Sequence, residues 1–170
     1  MRTKSSYSAL WKKQSGFSFE NGDAAITPER LRAITFLAGC SADVLAMLSR
    51  ALVSESIPAG RVIFEEGDPG NKFYIIARGR IENYVQWGEG RETVLGVMED
   101  GDWFGELALL KPVPRTWCAR TRADTICLTL DRARFLDLLA SDAKLKDIVE
   151  TTAQARIAAL QRAIFDSAGG

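Results

Sequence analysis

The hydrophobic pattern changes period twice along the chain. Leu31, Ile34 and Leu37 recur at helical spacing, and Thr27-Pro28 before them is a helix start: a hydroxyl N-cap followed by proline at the first helical position. After a break at Gly39–Ser41, Val44, Leu45, Leu48 and Leu52 mark one face of a second helix capped by Ser41. From about Val53 the period shortens. Short runs rich in β-branched and aromatic residues follow: Val62–Phe64, Phe73–Ile76, Ile81–Trp87, Thr93–Met98, Trp117–Thr121 and Ile126–Leu130. They are punctuated by Pro58-Ala59-Gly60, Gly67-Asp68-Pro69-Gly70, Gly79, Gly88-Glu89-Gly90 and Asp100-Gly101-Asp102. Strands so short and closely spaced leave no room for βαβ crossovers and predict a sandwich or barrel. Helix returns after Leu130, with Asp131 capping Arg132–Ala140 and Ser141 or Asp142 capping a longer helix that ends near Phe165.

The expected fold class is therefore mainly β with flanking α-helices. It is a double-stranded β-helix (jelly-roll) barrel with N-terminal helices and a C-terminal lid helix. Residues 1–26 are polar with isolated aromatics (Tyr7, Trp11, Phe17, Phe19) and read as a flexible leader or linker. Residues 27–165 form the domain, and 166–170 a tail.

Composition narrows function mainly by exclusion. Twenty-two basic residues balance 22 acidic ones, so no global charge draws the chain to nucleic acid or an anionic membrane. No apolar stretch approaches the roughly 20 residues of a membrane span, and Met1–Lys13 lacks the apolar core of a signal peptide. Cys40, Cys118 and Cys127 are odd in number and lack a CxxC spacing, which fits reduced thiols in a cytoplasmic protein. There is no histidine. This removes His-based triads, His-Cys zinc sites and the His clusters of metal-binding cupins; no catalytic residue, metal or cofactor is assigned.

The segment Gly101-Asp102-Trp103-Phe104-Gly105-Glu106-Leu107-Ala108-Leu109-Leu110, followed by Pro114-Arg115-Thr116, carries the chemistry. It reads as a strand end passing through glycine into one helical turn, with an arginine close by. Gly105 permits close backbone approach. The amides of Glu106, Leu107 and Ala108 are the unpaired donors at the start of that turn. Arg115 offers a planar fork suited to phosphate oxygens. The Glu106 carboxylate would repel a phosphate and must serve another group, such as a sugar hydroxyl.

Here the sequence resembles the cyclic-nucleotide-binding domain family, which includes protein kinase A regulatory subunits and the bacterial catabolite activator. The family's phosphate-binding cassette reads F-G-E-L-A-L, a variable loop, then R-[S/T]-A. Phe104–Leu109 matches the first half and Arg115-Thr116 the second. The resemblance extends over roughly Leu31–Phe165, including the run from Gly67 to Gly79. It implies that Glu106 accepts the ribose 2′-hydroxyl and that Arg115 neutralises the cyclic phosphate. The amides near Leu107, Ala108 and Thr116 would bind phosphate oxygens, and a hydroxyl at Thr116 is compatible with cGMP as well as cAMP. One position departs: Trp117 stands where the family has alanine. Strand alternation places Thr116 toward the ligand and Trp117 on the opposite face.

The resemblance further implies a regulatory role: cAMP or cGMP as ligand, and the C-terminal helix passing occupancy to an attached or docked effector. Two apolar stripes are visible on that helix, Leu145-Ile148-Thr152-Ala155-Ala159 and Ile157-Leu160-Ile164. One would close over the base, with Thr151, Thr152 and Arg156 able to reach the purine. The other would pair with a partner helix, that of a second copy in a homodimer included. The five residues after Phe165 are too few for a helix-turn-helix, so the effector is expected elsewhere. The alternative is a ligand-free structural or dimerisation module whose pocket Trp117 occludes; an enzyme of cupin type is the least compatible reading.

Overall fold

The computed structural model describes residues 25–111 and 113–169; the expected leader falls almost wholly outside them. Helix α1 (Pro28–Arg32), a 3₁₀ turn (Thr35–Leu37) and α2 (Ala42–Ala51) precede the strands. The strands follow as β1 (Val53–Ile57), β2 (Val62–Phe64), β3 (Lys72–Arg78), β4 (Arg80–Gln86), β5 (Glu92–Glu99) and, after a two-residue β6 (Trp103–Phe104) and the one-turn helix α3 (Leu107–Leu110), β7 (Cys118–Thr121); β8 (Thr125–Asp131) closes the sheets. Helices α4 (Arg132–Ser141) and α5 (Ala143–Ala168) end the chain, α5 running past the expected stop near Phe165.

The predicted caps hold the starts of α1, α2, α4 and α5. Thr27 Oγ1 accepts from the Arg30 amide at 3.3 Å and Ser41 Oγ from Val44 at 3.2 Å. Asp131 and Asp142 accept from Arg134 and Leu145, each at 2.9 Å. Each satisfies one of the amides a helix start leaves unpaired.

The strands form two antiparallel four-stranded sheets, ordered β1-β8-β3-β6 and β2-β7-β4-β5. Sheet one is covered on both faces, which is why β3 reads as the unbroken apolar run Phe73–Ala77 rather than an alternation. Phe73, Ile75, Leu128, Leu130 and Trp103 pack on one side with the helices, against Leu31, Ile34, Leu45, Phe135 and Val149. Tyr74, Ile76, Cys127 and Phe104 point the other way, meeting Phe64, Ile81, Val85, Trp117 and Ala119 of the second sheet. The second cluster is the interior of the jelly roll; the first anchors the helical layer to it.

Strand β1 was hidden in the sequence, because Val-Ser-Glu-Ser-Ile is an edge strand, largely exposed and paired only with β8. On α5 the buried stripe is Leu145-Val149-Ala153, continued by the half-buried Ile157 and Leu160. Ile148, Ala155 and Ala159, expected on the packed face, are exposed. Spacing alone allowed either stripe; the neighbouring barrel selects the one that rises by four residues per step. Among the described residues no helix is long and apolar enough to cross a membrane.

Candidate functional site

The site lies where β6 hands the chain to α3. Gly105 has φ +90°, a conformation L side chains rarely adopt. A Cβ there would stand 3.0 Å from both Arg115 Nη1 and the Lys72 carbonyl oxygen. The glycine thus makes room for the arginine as well as turning the chain. The next residues, Leu107 and Ala108, open α3 and have no intrahelical acceptor for their amides. Arg132 Nη2 closes the turn from below by donating to the Ala108 carbonyl at 2.5 Å.

Arg115 is only 5% exposed. Its Nη1 donates to the Gly105 carbonyl and its Nη2 to the Lys72 carbonyl, both at 2.8 Å. The guanidinium carbon stands 4.2 Å over the Phe64 ring and 6.0 Å from that of Tyr74. Among the described residues no carboxylate pairs with it, and burial pulls its pKa below the ordinary arginine value despite the raising influence of Tyr74, Glu106 and Asp68. Its Nε is buried without a partner. Backbone bonds fix the arginine's own position: its amide donates to the Asp68 carbonyl, and its carbonyl accepts from Gly67, both at 2.8 Å.

Glu106 is fully buried. Oε2 accepts from Arg156 Nη1 of α5 at 2.7 Å, while Oε1 has no partner. Arg156 Nη2 donates to the Trp103 carbonyl at 2.7 Å and lies 3.7 Å from Met98 Sδ, and its guanidinium carbon sits 4.6 Å over the Trp103 ring. Arg156 therefore meets the cassette through Glu106. Thr152, one turn earlier on α5, is half-buried and forms no side-chain hydrogen bond with the described residues.

Gly105, Leu107, Ala108, Arg115 and Thr116 line one small cavity together with Phe64 and Trp117. Its volume is about 10 Å³, close to what one water needs. Trp117 thus does not turn away from this site. Strand β7 begins only at Cys118, so residues 116 and 117 lie in a bend where alternation does not apply. Trp117 points into the jelly roll with Ala119, 6% exposed, and borders the cavity as Thr116 does.

Two contributors, Gly70 and Phe64, and one buried polar residue of the barrel, Asn83, were missed by sequence reasoning. Gly70 packs so closely on Ala108 that no side chain fits between them; the Gly-Asp-Pro-Gly turn was its only signal. Phe64 supplies the face under Arg115. Asn83 is buried inside the barrel with an unpartnered Oδ1, and nothing in the sequence distinguished it from a solvent-facing strand residue.

Comparison with known proteins fits this arrangement. The family described as "Cyclic nucleotide-binding domain" matches residues 54–142, more than half of the chain. A CRP-like cAMP-activated global transcriptional regulator of Mycobacterium tuberculosis is 35% identical over 94 residues, 55% of this chain and 42% of that protein. A cAMP-dependent protein kinase regulatory subunit of Emericella nidulans is 38% identical over 94 residues, 55% of this chain and 22% of that protein. The chain thus spans less than half the length of these relatives. A solved regulatory subunit of a cAMP-independent protein kinase A from Trypanosoma brucei superposes with a TM-score of 0.66 at 26% identity, covering 73% of this chain and 44% of that one. With the FGELAL turn, its arginine and the two-sheet jelly roll all in register with that match, the chain belongs to the cyclic nucleotide-binding domain family.

Proposed function

We propose that this chain is a non-enzymatic regulatory domain that binds a cyclic purine nucleotide, cAMP or cGMP, and passes occupancy through α5 to an effector. The observation that carries the reading is a pair of orphaned polar atoms. Glu106 Oε1 and Arg115 Nε are both buried and unpartnered, and they flank the turn of Gly105, Leu107 and Ala108. Buried polar groups are nearly always paired, because an unmet one costs about 1–3 kcal/mol. Here the acceptor matches a sugar hydroxyl and the donor a phosphate oxygen. Arg115, Thr116 and the amides of Leu107 and Ala108 hold the phosphate, and Glu106 holds the ribose. The thiols at Cys40, Cys118 and Cys127, all free and buried, suit a reducing cytoplasm.

The link to output is Arg156. A small-molecule pocket occupies on the order of 300–1,000 Å³, so a nucleotide enters only if the contacts around Trp117 and α5 rearrange. A ribose on Glu106 competes with Arg156 for the carboxylate, and loss of that ion pair frees α5 to reposition. Ligand then shifts a pre-existing balance between two placements of the helix. The exposed Ile164 and Phe165 near its end, 44% and 78% exposed, offer the surface for an effector or a second copy.

The second reading, a ligand-free scaffold, draws on the same cavity: it is small, Trp117 borders it, and Arg156 already occupies Glu106. Titration calorimetry and thermal unfolding with cAMP, cGMP and linear AMP separate the two. The sensor reading expects saturable binding and a raised melting temperature with a cyclic nucleotide and not with AMP. Unchanged melting at millimolar concentrations of both cyclic ligands supports the scaffold and removes the sensor.

A further inference from the structure

We infer that Asn83 reads the nucleobase, its side-chain oxygen accepting a hydrogen bond from a purine exocyclic amino group; the inference rests on the cyclic-nucleotide reading above. Asn83 lies on β4 between Ile81 and Val85, whose side chains belong to the interior cluster, and by the two-residue period of a strand it shares their face. It is 7% exposed. Its amide nitrogen donates to Met98 Sδ at 3.7 Å, which leaves Oδ1 as the orphan, buried and without a partner among the described residues.

The position relates directly to the cassette. Met98 Sδ is also 3.7 Å from Arg156 Nη2, and Arg156 Nη1 holds Glu106 at 2.7 Å. Asn83 is therefore two side chains removed from the carboxylate assigned to the ribose. A nucleotide laid with its phosphate at Arg115 and its sugar at Glu106 continues toward this part of the barrel. The walls there suit a flat aromatic ring: Trp87, Leu95, Leu107 and Leu160 are all partly buried and packed on the same cluster. The Trp87 indole nitrogen is already committed to Thr93 Oγ1 at 2.8 Å, so its ring offers only an apolar face.

The strand pairing leaves space beside the amide. Asn83 stands opposite Gly96 of β5, which has no side chain, and the register slips at the next pair, so Leu95 bulges out of the ladder. An apolar residue of similar size at position 83 would fill the interior without an unmet acceptor. Retaining an amide there destabilises the protein unless something donates to it. Of the donors on a cyclic purine nucleotide, the ribose 2′-hydroxyl is met by Glu106. The donors left for Asn83 are on the base: the exocyclic amino group, on C6 of adenine or C2 of guanine, and in guanine also the adjacent N1–H; the amino group is the one both purines share and the one assigned to Asn83.

The test uses titration calorimetry on the full chain and on Asn83→Leu, with four ligands in two pairs. The first pair is cAMP and its analogue lacking the 6-amino group; the second is cGMP and cIMP, which lacks the 2-amino group. Wild type is expected to favour the amino-bearing member of one pair by roughly tenfold, the scale of one buried hydrogen bond. In Asn83→Leu that ratio falls to within about twofold, with affinity for the deaminated analogue kept and the melting temperature equal to or above wild type. A merely structural amide would lower the melting temperature and leave the ratio alone. Wild type binding both members of each pair equally, or Asn83→Leu keeping the preference, overturns the assignment while leaving cyclic-nucleotide binding standing. Absence of binding by wild type to all four ligands overturns both.

Discussion

Arg115→Ala tests both the architecture and the chemistry of the cassette, and the two effects have separate sizes. In the folded chain the guanidinium makes two hydrogen bonds, to the Gly105 and Lys72 carbonyls, each at 2.8 Å. A hydrogen bond from a charged donor contributes about 1.5–3 kcal/mol, so removing both costs about 3–6 kcal/mol in gross terms. Against this, the buried cation has no carboxylate partner and one unpartnered nitrogen. Deleting it recovers a desolvation penalty of about 1–3 kcal/mol. The net loss lies within about 0–5 kcal/mol and centres on about 2–3 kcal/mol, which for a chain of this length lowers the melting temperature by about 4–12 °C. Ligand affinity falls separately, by about ten- to a hundredfold, because the alanine variant lacks the charged bond to the phosphate. Arg115→Lys keeps the charge but not the fork, and recovers only part of both losses. Urea unfolding gives the first quantity and calorimetry with cAMP and cGMP the second, measured on protein shown to be folded. Unchanged affinity in Arg115→Ala would refute the placement of the phosphate; unchanged stability would refute the structural role of the two carbonyl bonds.

Other substitutions probe the rest of the site. Trp117→Ala removes a buried indole and costs about 3–5 kcal/mol of stability by denaturant unfolding; because Trp117 borders the cavity, it also raises cyclic-nucleotide affinity, and an unchanged dissociation constant refutes the indole as a pocket wall. Glu106→Gln weakens binding less than Arg115→Ala and narrows the preference for cAMP over 2′-deoxy-cAMP; equal binding of the two by wild type would give Glu106 another role. Glu82 supplies a pH test. Burial pushes its carboxyl up, but hydrogen bonds and charge from Arg120 and Arg122 outweigh this and hold it below its ordinary value of 4.5. Its contribution is present above that value and is lost as the pH falls through the lower, folded one. Melting temperatures followed from pH 6 downward should thus fall less steeply for Glu82→Gln, and parallel curves would refute the coupling.

Much of this protein is local and so was legible in the chain. Thr27, Ser41, Asp131 and Asp142 cap helices through bonds three residues away, and glycine-marked turns delimit the longer strands. The Gly105–Ala108 turn, with its arginine ten residues on, was readable for the same reason: the chemistry sits in one continuous segment. What sequence did not disclose depends on which surfaces meet. The edge strand β1 is defined by its partner β8, 68 to 76 residues away. Trp117 borders the cavity because the bend before β7 suspends alternation, and Arg156 reaches Glu106 across 50 residues because α5 packs its Val149 stripe inward. Asn83 looks like any polar strand residue until β5 and α5 close over it. The sequence by itself determined most of the elements, their caps and the glycine turn at Gly105–Ala108, since these follow from short-range sterics and hydrogen bonding. Only the tertiary structure decided which polar atoms are buried unpaired, because burial is a property of packing between distant segments.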